Sequence, residues 1–126
     1  MTKCLSLKQP YAELIVSGRK TIELRKWNTK YRGQFLIHAS KTINSEACKL
    51  YNIDVSSQVT GAIVGSALLC DVKRYQSKQE FMVDQNKHFA VSAYLEPTYG
   101  FLLSDAKRFD KPVPLKGRLG FFNVNI

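Results

Sequence analysis

The sequence predicts one domain that is mainly β with short helices, an α+β fold built as a small, strongly bent sheet or barrel. The chain has 126 residues, which suits a single domain over residues 1–126. About five or six segments have the composition of strands, whereas only about two or three short segments have helical spacing. Because strands and helices do not alternate regularly, a doubly wound α/β fold is disfavoured.

The first three elements follow from the start of the chain. "CLSLK" alternates apolar and polar residues, which predicts a half-buried strand. In "QPYAELIVSG", Pro10 suits the first helical position and Gly18 suits the left-handed position that ends a helix, so a helix is predicted from Pro10 to Ser17. "TIELRKW" then predicts a strand in which Ile22 and Leu24 alternate with polar residues.

The remaining elements are predicted in the same way. "QFLIHAS" predicts a buried strand, and "NSEACKLYN" predicts a short helix with Ala47 and Leu50 facing inward. "GAIVGSALLCDVKRY" predicts a long strand whose glycines allow it to bend. Ser77 and Glu80 have the spacing of a capping box, which predicts a helix from about Ser77 to His88. "YGFLL" and "LGFFNVNI" predict the closing strands, joined by an extended connection, "KPVPLKG".

The positive charge of the chain is concentrated near its start. The formal net charge is +9, and residues 1–41 carry +7 of it, from nine Lys or Arg and two Glu. Such a concentration indicates an anionic partner, most often nucleic acid, although a generally basic, soluble surface is the alternative. No segment has the ~20 apolar residues of a membrane span. We therefore expect a cytoplasmic protein without a membrane partner, with a monomer favoured.

The cysteines and histidines give no sign of a metal or a disulfide. Cys4, Cys48 and Cys70 are predicted to be free, buried thiols, because their number is odd and none forms a C-x-x-C pair. His38 and His88 lack partners at metal-ligand spacing, so no metal and no other cofactor is expected. His38, within "FLIHAS", is interpreted as a hydrogen-bonded histidine of the sheet.

The stretch "GRKTIELR" contains the most informative pattern, because Gly18, Lys20, Glu23 and Arg25 have the spacing G-x-K-x-x-E-x-R. On chemistry alone, the simpler interpretation is a Glu–Arg pair on an exposed strand, worth about 0–1 kcal/mol. The alternative is a ligand site in which burial and Arg25 lower the pKa of Lys20 while Glu23 opposes this change. A neutral Lys20 suits a base or nucleophile, and a charged one suits an anion holder.

This pattern resembles the signature of the ASCH domain, a relative of the PUA-like RNA-binding barrels. "LSLKQPYAELIVSGRKTIELR" looks like the family's first strand, helix and second strand, and "YRGQFLIHASK" looks like its next strand. "YGFLL" and "KPVPLKGRLGFFNV" resemble its closing strands, so the similarity covers essentially the whole chain. The resemblance implies a PUA-like β-barrel with a cleft beside the motif and an RNA or nucleoside ligand.

Three functions are compatible with the resemblance and the charge. The first is binding of RNA or a modified nucleoside in a basic cleft. The second is hydrolysis at the same site, by an N4-acetylcytidine amidohydrolase or a ribonuclease with Lys20, Glu23 and Arg25 as catalytic residues. Such amidohydrolases carry a threonine three residues after the lysine, where this chain has Glu23. The third is an adaptor for an acidic protein. We expect the three side chains to converge in one cleft, and Lys20 to be replaceable with little loss of stability.

Further residues around the motif are expected to bind the ligand. Two of them precede the first helix, where free backbone N–H groups can meet an anion. A lysine after the motif adds positive charge, and three aromatic residues are candidates to stack on a base. For any single aromatic residue, core or edge packing is the commoner explanation. The set is Lys8, Gln9, Tyr11, Lys26, Trp27 and Tyr99.

Overall fold

A computed structural model describes residues 1–126, the whole chain. The strands are β1 (Thr2–Gln9), β2 (Ile22–Arg25), β3 (Gly33–Ile43), β4 (Ala62–Arg74), β5 (Tyr99–Pro114) and β6 (Phe121–Val124). The α-helices are α1 (Tyr11–Val16), α2 (Ser45–Leu50), α3 (Lys78–Val83) and α4 (Gln85–His88), with one 3-10 turn at Val55–Ser57. The expected fold class, mainly β with short helices, is confirmed. None of the helices has the length and apolar composition needed to cross a membrane.

The six strands form one mixed sheet in the order β2-β5-β4-β3-β1-β6. β1 and β3 are parallel, and all other neighbouring strands are antiparallel. The sheet is not closed into a complete barrel, because β2 and β6 form free edges. It curls far enough for Arg25, on the edge strand β2, to donate a hydrogen bond to the carbonyl of Ser6 on β1. A side chain therefore bridges the gap that strand pairing would close in a full barrel.

The main core lies between α1 and the sheet. A cluster of 13 buried apolar residues combines Ile15 and Val16 of α1 with inward side chains of the central strands, such as Phe35 and Phe101. β4 and β5 approach each other very closely at Gly65, where an added Cβ would lie 2.1 Å from the carbonyl oxygen of Lys107. Three register irregularities between these two strands bend the sheet around the core.

The predicted helix, Pro10–Ser17, is one residue shorter at each end, because Pro10 is the N-cap of α1 rather than its first residue. α1 ends at Val16, Ser17 is its C-cap, and Gly18 follows with a φ of +85°. That conformation is costly for any residue with a Cβ, which explains the glycine at the start of the motif. The backbone N–H of Lys20 then donates to the carbonyl of Leu14 at 2.9 Å, which fixes the path of the chain into β2.

The predicted helix from Ser77 to His88 is divided into α3 and α4 at Asp84. Ser77 caps α3 as expected, since its hydroxyl accepts a hydrogen bond from the N–H of Glu80 at 3.1 Å. Asp84 is 5% exposed, and its carboxylate is held on the sheet by Tyr75 Oη at 2.7 Å and by an ion pair with Lys73. These tertiary contacts interrupt a helix that periodicity alone would continue.

Three local predictions are wrong. Leu50 is 63% exposed, because α2 packs through Ala47 and Cys48 and ends at Leu50 itself. Cys70 is exposed rather than buried, since it alternates with the buried Leu69 and lies at a register irregularity between β4 and β5. "KPVP" is not a connection but the end of β5, which pairs with the start of β4.

Candidate functional site

A cleft of about 530 Å³ opens where β2 faces β1, at the gap in the curled sheet. The strands β1 and β2 contribute to its walls, together with α1 and the loops that follow β2, precede β5 and join β5 to β6. Only one acidic side chain, Glu23, lines the cleft. The four basic side chains that line it are Lys8, Arg25, Lys26 and Arg118. The cleft is therefore a cationic cavity with a single carboxylate.

Glu23 links the two other charged residues of the motif. It pairs across β2 and β5 with the buried Phe101, so its side chain lies on the same face of the sheet as the main core. Its Oε1 lies 3.4 Å from Lys20 Nζ, and its Oε2 accepts a hydrogen bond from Arg25 Nε at 2.9 Å. The three motif side chains contact one another, but only Glu23 and Arg25 line the cleft, so the expectation that all three converge there is wrong for Lys20. Each carboxylate oxygen keeps a second lone pair.

Arg25 bridges the gap in the sheet. Besides its bond to Glu23, its Nη2 donates to the backbone carbonyl of Ser6 at 2.9 Å. The guanidinium carbon also lies 6.0 Å from the centre of the Trp27 ring, at the limit of a cation–π contact. The planar group is therefore fixed on three sides and presents its remaining N–H donors at the cleft wall.

Lys20 lies beneath this surface rather than in the cleft. It is 3% exposed and does not line the cavity. Its Nζ donates to the carbonyls of Ile22 at 2.6 Å and His88 at 2.5 Å. Burial lowers the pKa of Lys20, while the Glu23 carboxylate opposes this change. Three acceptors around Nζ match the three hydrogens of an ammonium group, so the expectation that Lys20 can be replaced without loss of stability is revised.

Two of the three aromatic candidates lie in the cleft. Trp27 is half-buried, with edge-to-face contacts to Phe101 at 5.4 Å and Phe121 at 5.9 Å between ring centres. Tyr11 also lines the cleft, and its ring centre is 5.1 Å from Lys20 Nζ. Burial raises the pKa of Tyr11 to about 12, so its hydroxyl stays protonated at neutral pH. Both rings are held in place by packing and remain partly open to the cavity.

Two other candidates lie elsewhere. Gln9 is 2% exposed, and its side chain accepts from Glu13 N at 2.9 Å and donates to the carbonyl of Val59 at 2.8 Å, so it joins α1 to the loop before β4. Tyr99 does not line the cleft; it packs at the core edge, with the Arg74 guanidinium carbon 5.9 Å from its ring centre.

The two lysine candidates line the cleft in different ways. Lys8 is exposed and makes no hydrogen bond or ion pair within the chain, so its charge is available to a ligand. Lys26 Nζ is held by the carbonyl of Leu95 at 2.6 Å and by Thr98 Oγ1 at 2.9 Å. Lys26 therefore ties the loop before β5 to the end of β2 as well as adding charge.

The sequence reasoning missed the loop between β5 and β6. Arg118 and Leu119 line the cleft, and Leu119 is 98% exposed. The signal was present in "KGRLG", where a basic and an apolar residue lie between Gly117 and Gly120.

Ser6, which also lines the cleft, was missed as well. Its hydroxyl bonds to His38 Nδ1 at 2.8 Å, while His38 Nε2 bonds to the carbonyl of Leu115 at 2.6 Å. His38 is thus the hydrogen-bonded sheet histidine that the sequence predicts.

Comparison with known proteins gives the family. The ASCH domain matches residues 5–113. Activating signal cointegrator 1 of Mus musculus is 28% identical over 126 residues, covering 90% of this chain and 21% of that protein, so the chain spans about a fifth of its length. The crystal structure of ASCH from Zymomonas mobilis has a TM-score of 0.67 at 20% identity, covering 90% of this chain and 73% of that one. A mutant of the same bacterial protein has a TM-score of 0.66 at 19% identity, with 90% and 74% covered. The chain belongs to the ASCH domain family.

Proposed function

We propose that the chain binds single-stranded RNA, with one base in the cleft beside Glu23 and Arg25. The observation that carries this proposal is the composition of the cleft, in which four cations and two partly open aromatic rings surround one carboxylate. Cations attract phosphates, and aromatic faces stack on unpaired bases. The family is related to RNA-binding barrels, which supports the same ligand class.

Different side chains of the cleft are suited to different parts of a nucleotide. The free charge of Lys8 is suited to a phosphate. The Glu23 carboxylate keeps lone pairs that can accept from an exocyclic amine of a base, as acidic residues do with cytosine N4. Trp27 supplies an apolar ring at the same wall, with its orientation fixed by Phe101 and Phe121. The cleft therefore combines a cation for a phosphate (Lys8), a ring for stacking (Trp27) and a carboxylate that can accept a hydrogen bond from the edge of a base (Glu23).

The test is RNA binding by two cleft variants and a matched surface control. Lys8→Ala removes an unpaired cleft cation, and Arg25→Gln removes the guanidinium group at the cleft wall. Lys107→Ala with Lys111→Ala removes two exposed cations that do not line the cleft. In fluorescence anisotropy with a labelled octaribonucleotide, each cleft variant is expected to weaken binding about tenfold, about 1.4 kcal/mol, and the control less than threefold. Circular dichroism checks that each variant is folded. Equal losses from both sets would leave only diffuse attraction and reject the proposal.

Hydrolysis is the second candidate, and Glu23 is the observation that favours it. Its carboxylate is the single acidic group in the cleft, and the buried Lys20 and Arg25 hold it in a fixed position. A carboxylate fixed in this way can activate water against an acetylated base or a phosphodiester. Incubating the protein with N4-acetylcytidine and, separately, with short RNAs tests this directly. A product that Glu23→Gln does not form would establish an enzyme; unchanged substrates would leave a binding domain.

A further inference from the structure

A second cavity lies beside the cleft, and we call it the lateral groove. It has a volume of about 870 Å³ and runs between β3 and the loop from Leu115 to Gly120. The cleft and the lateral groove share four lining residues, so they lie next to each other. The shared residues are Ser6, Ser40, Arg118 and Leu119.

The lateral groove differs from the cleft in its chemistry. Lys41, Lys116 and Arg118 line it, and no acidic side chain does. All three are exposed, and none makes a hydrogen bond or an ion pair within the chain. No Trp, Tyr or Phe lines it either, and its one aromatic ring, that of His38, is 2% exposed beneath Gly117, so no open ring is available to stack on a base. Three unpaired cations without a stacking ring suit the phosphates of a nucleic-acid backbone rather than its bases.

The loop that carries two of these cations is anchored. His38, buried in the sheet, bonds to the carbonyl of Leu115 at 2.6 Å and to the hydroxyl of Ser6 at 2.8 Å. Gly117 packs so closely over this pair that an added Cβ would lie 2.8 Å from both His38 Cε1 and Ser6 Oγ. Lys116 and Arg118 flank Gly117 in the chain, so the packing of the glycine fixes where both cations lie along the groove.

We propose that the lateral groove is a second subsite that holds the backbone phosphates of nucleotides adjoining the one in the cleft. The preferred ligand is then a single-stranded oligonucleotide of several residues, not a free nucleoside. The exposed Leu119 lies at the junction of the two cavities, where it can pack on the base that leaves the cleft. This inference rests on the proposed function, because it extends the same ligand from the cleft.

The test measures how affinity depends on the length of the ligand, in the native chain and in a variant whose groove has lost two positive charges. Cytidine monophosphate binding is followed by Trp27 emission, and single-stranded RNAs of two, four and eight nucleotides are followed by anisotropy. The variant is Lys41→Ala with Lys116→Ala, and the matched control is Lys107→Ala with Lys111→Ala. For the native chain, affinity is expected to rise at least tenfold from the mononucleotide to the tetranucleotide. The groove variant is expected to bind the mononucleotide normally and to lose most of this gain.

The salt dependence gives a second readout. Removing two phosphate contacts to a single strand is expected to reduce the slope of log K against log salt by about 1.4, since each contact contributes about 0.7. A groove variant that keeps the full gain with length, or the full slope, overturns the second subsite. Displacement of the octanucleotide by hexaglutamate at equal concentration also overturns it, because the groove would then collect any acidic chain. If the native chain binds neither the mononucleotide nor any RNA, the proposed function itself fails.

Discussion

At the scale of single residues, Lys20 lies beneath the cleft and holds several of the groups around it in place. It joins the end of α4 to the start of β2, because its Nζ donates to the carbonyls of both His88 and Ile22. It also holds Glu23, whose other oxygen holds Arg25. Lys20 therefore influences the cleft by positioning Glu23, and it makes no contact with the cavity itself.

Replacing Lys20 is expected to destabilise the protein. Lys20→Ala leaves two buried carbonyls without a donor, and Lys20→Met does the same while keeping the length of the side chain. Each is expected to lower the free energy of unfolding by about 3 kcal/mol. Urea unfolding measures this change, with the exposed Lys30→Ala as a control that should lose less than about 0.5 kcal/mol. Unchanged stability in both Lys20 variants would show that the amine is not a structural donor.

The three thiols are expected to differ in reactivity. Cys70 is exposed, whereas Cys4 and Cys48 are buried. Burial raises the pKa of Cys4 to about 12 and also raises that of Cys48, so little thiolate forms at either position. Titration of the native chain with a thiol reagent should show one fast and two slow groups. Cys70→Ser should remove the fast one. Fast reaction of all three would contradict the buried positions of Cys4 and Cys48.

At the scale of elements, α3 and α4 are held next to the sheet by polar contacts, such as those of Asp84 with Tyr75 and Lys73. His88 is fully buried and stacks on Phe81, with 4.3 Å between ring centres. Its Nδ1 accepts from Ala90 N at 3.1 Å, so the proton is on Nε2, which bonds to the carbonyl of Phe81 at 2.8 Å. This arrangement requires the neutral ring, and the nearby Lys20 disfavours a second positive charge.

The stability of the protein is expected to fall in mild acid. Burial lowers the pKa of His88 below its usual value of 6.5. The stabilisation from the neutral ring is then complete above pH 6.5 and is lost as pH falls through the lower folded pKa. The difference in Tm between the native chain and His88→Gln should therefore shrink from pH 7.5 to pH 5. A constant difference over that range would contradict a buried, neutral His88.

Local patterns predicted most elements but not their limits. Gly18 and Ser77 marked a helix end and a helix start, because capping depends on residues adjacent in sequence. The break at Asp84 depends on Tyr75 and Lys73, which belong to the sheet and its edge, so helical periodicity could not reveal it. The exposure of Cys70 depends on a register irregularity between two strands, which is likewise a long-range feature.

The part of the candidate site that lies on a single strand, β2, was predictable from the sequence. Glu23 and Arg25 are two residues apart on β2 and therefore share a face, and the structure pairs them as the sequence pattern predicts. The depth of Lys20 was not predictable, since its burial depends on α4, which lies 65 or more residues further along the chain. Arg118 and Leu119 were missed because the pattern "KGRLG" marks a basic loop without showing where that loop lies; it reaches the cleft only because the sheet curls until its two ends approach.

At the scale of the whole molecule, function is proposed at the opening of an incomplete barrel. The sheet has free edges at β2 and β6, and the gap between β2 and β1 is spanned by Arg25 instead of backbone pairing. The cleft occupies this gap, and the lateral groove adjoins it along the loop between β5 and β6. The open sheet thus leaves charged side chains and two aromatic rings along two adjoining cavities.

Emission of Trp27 tests the central claim most directly, because the chain has one tryptophan and it lines the cleft. Titration with an octaribonucleotide should change the emission saturably, with the same midpoint as the anisotropy of the labelled RNA. Raised salt should shift both midpoints together, and Arg25→Gln should weaken both by about tenfold. If anisotropy reports binding while Trp27 emission stays constant, RNA binds elsewhere on the basic surface, and the cleft is not the RNA site.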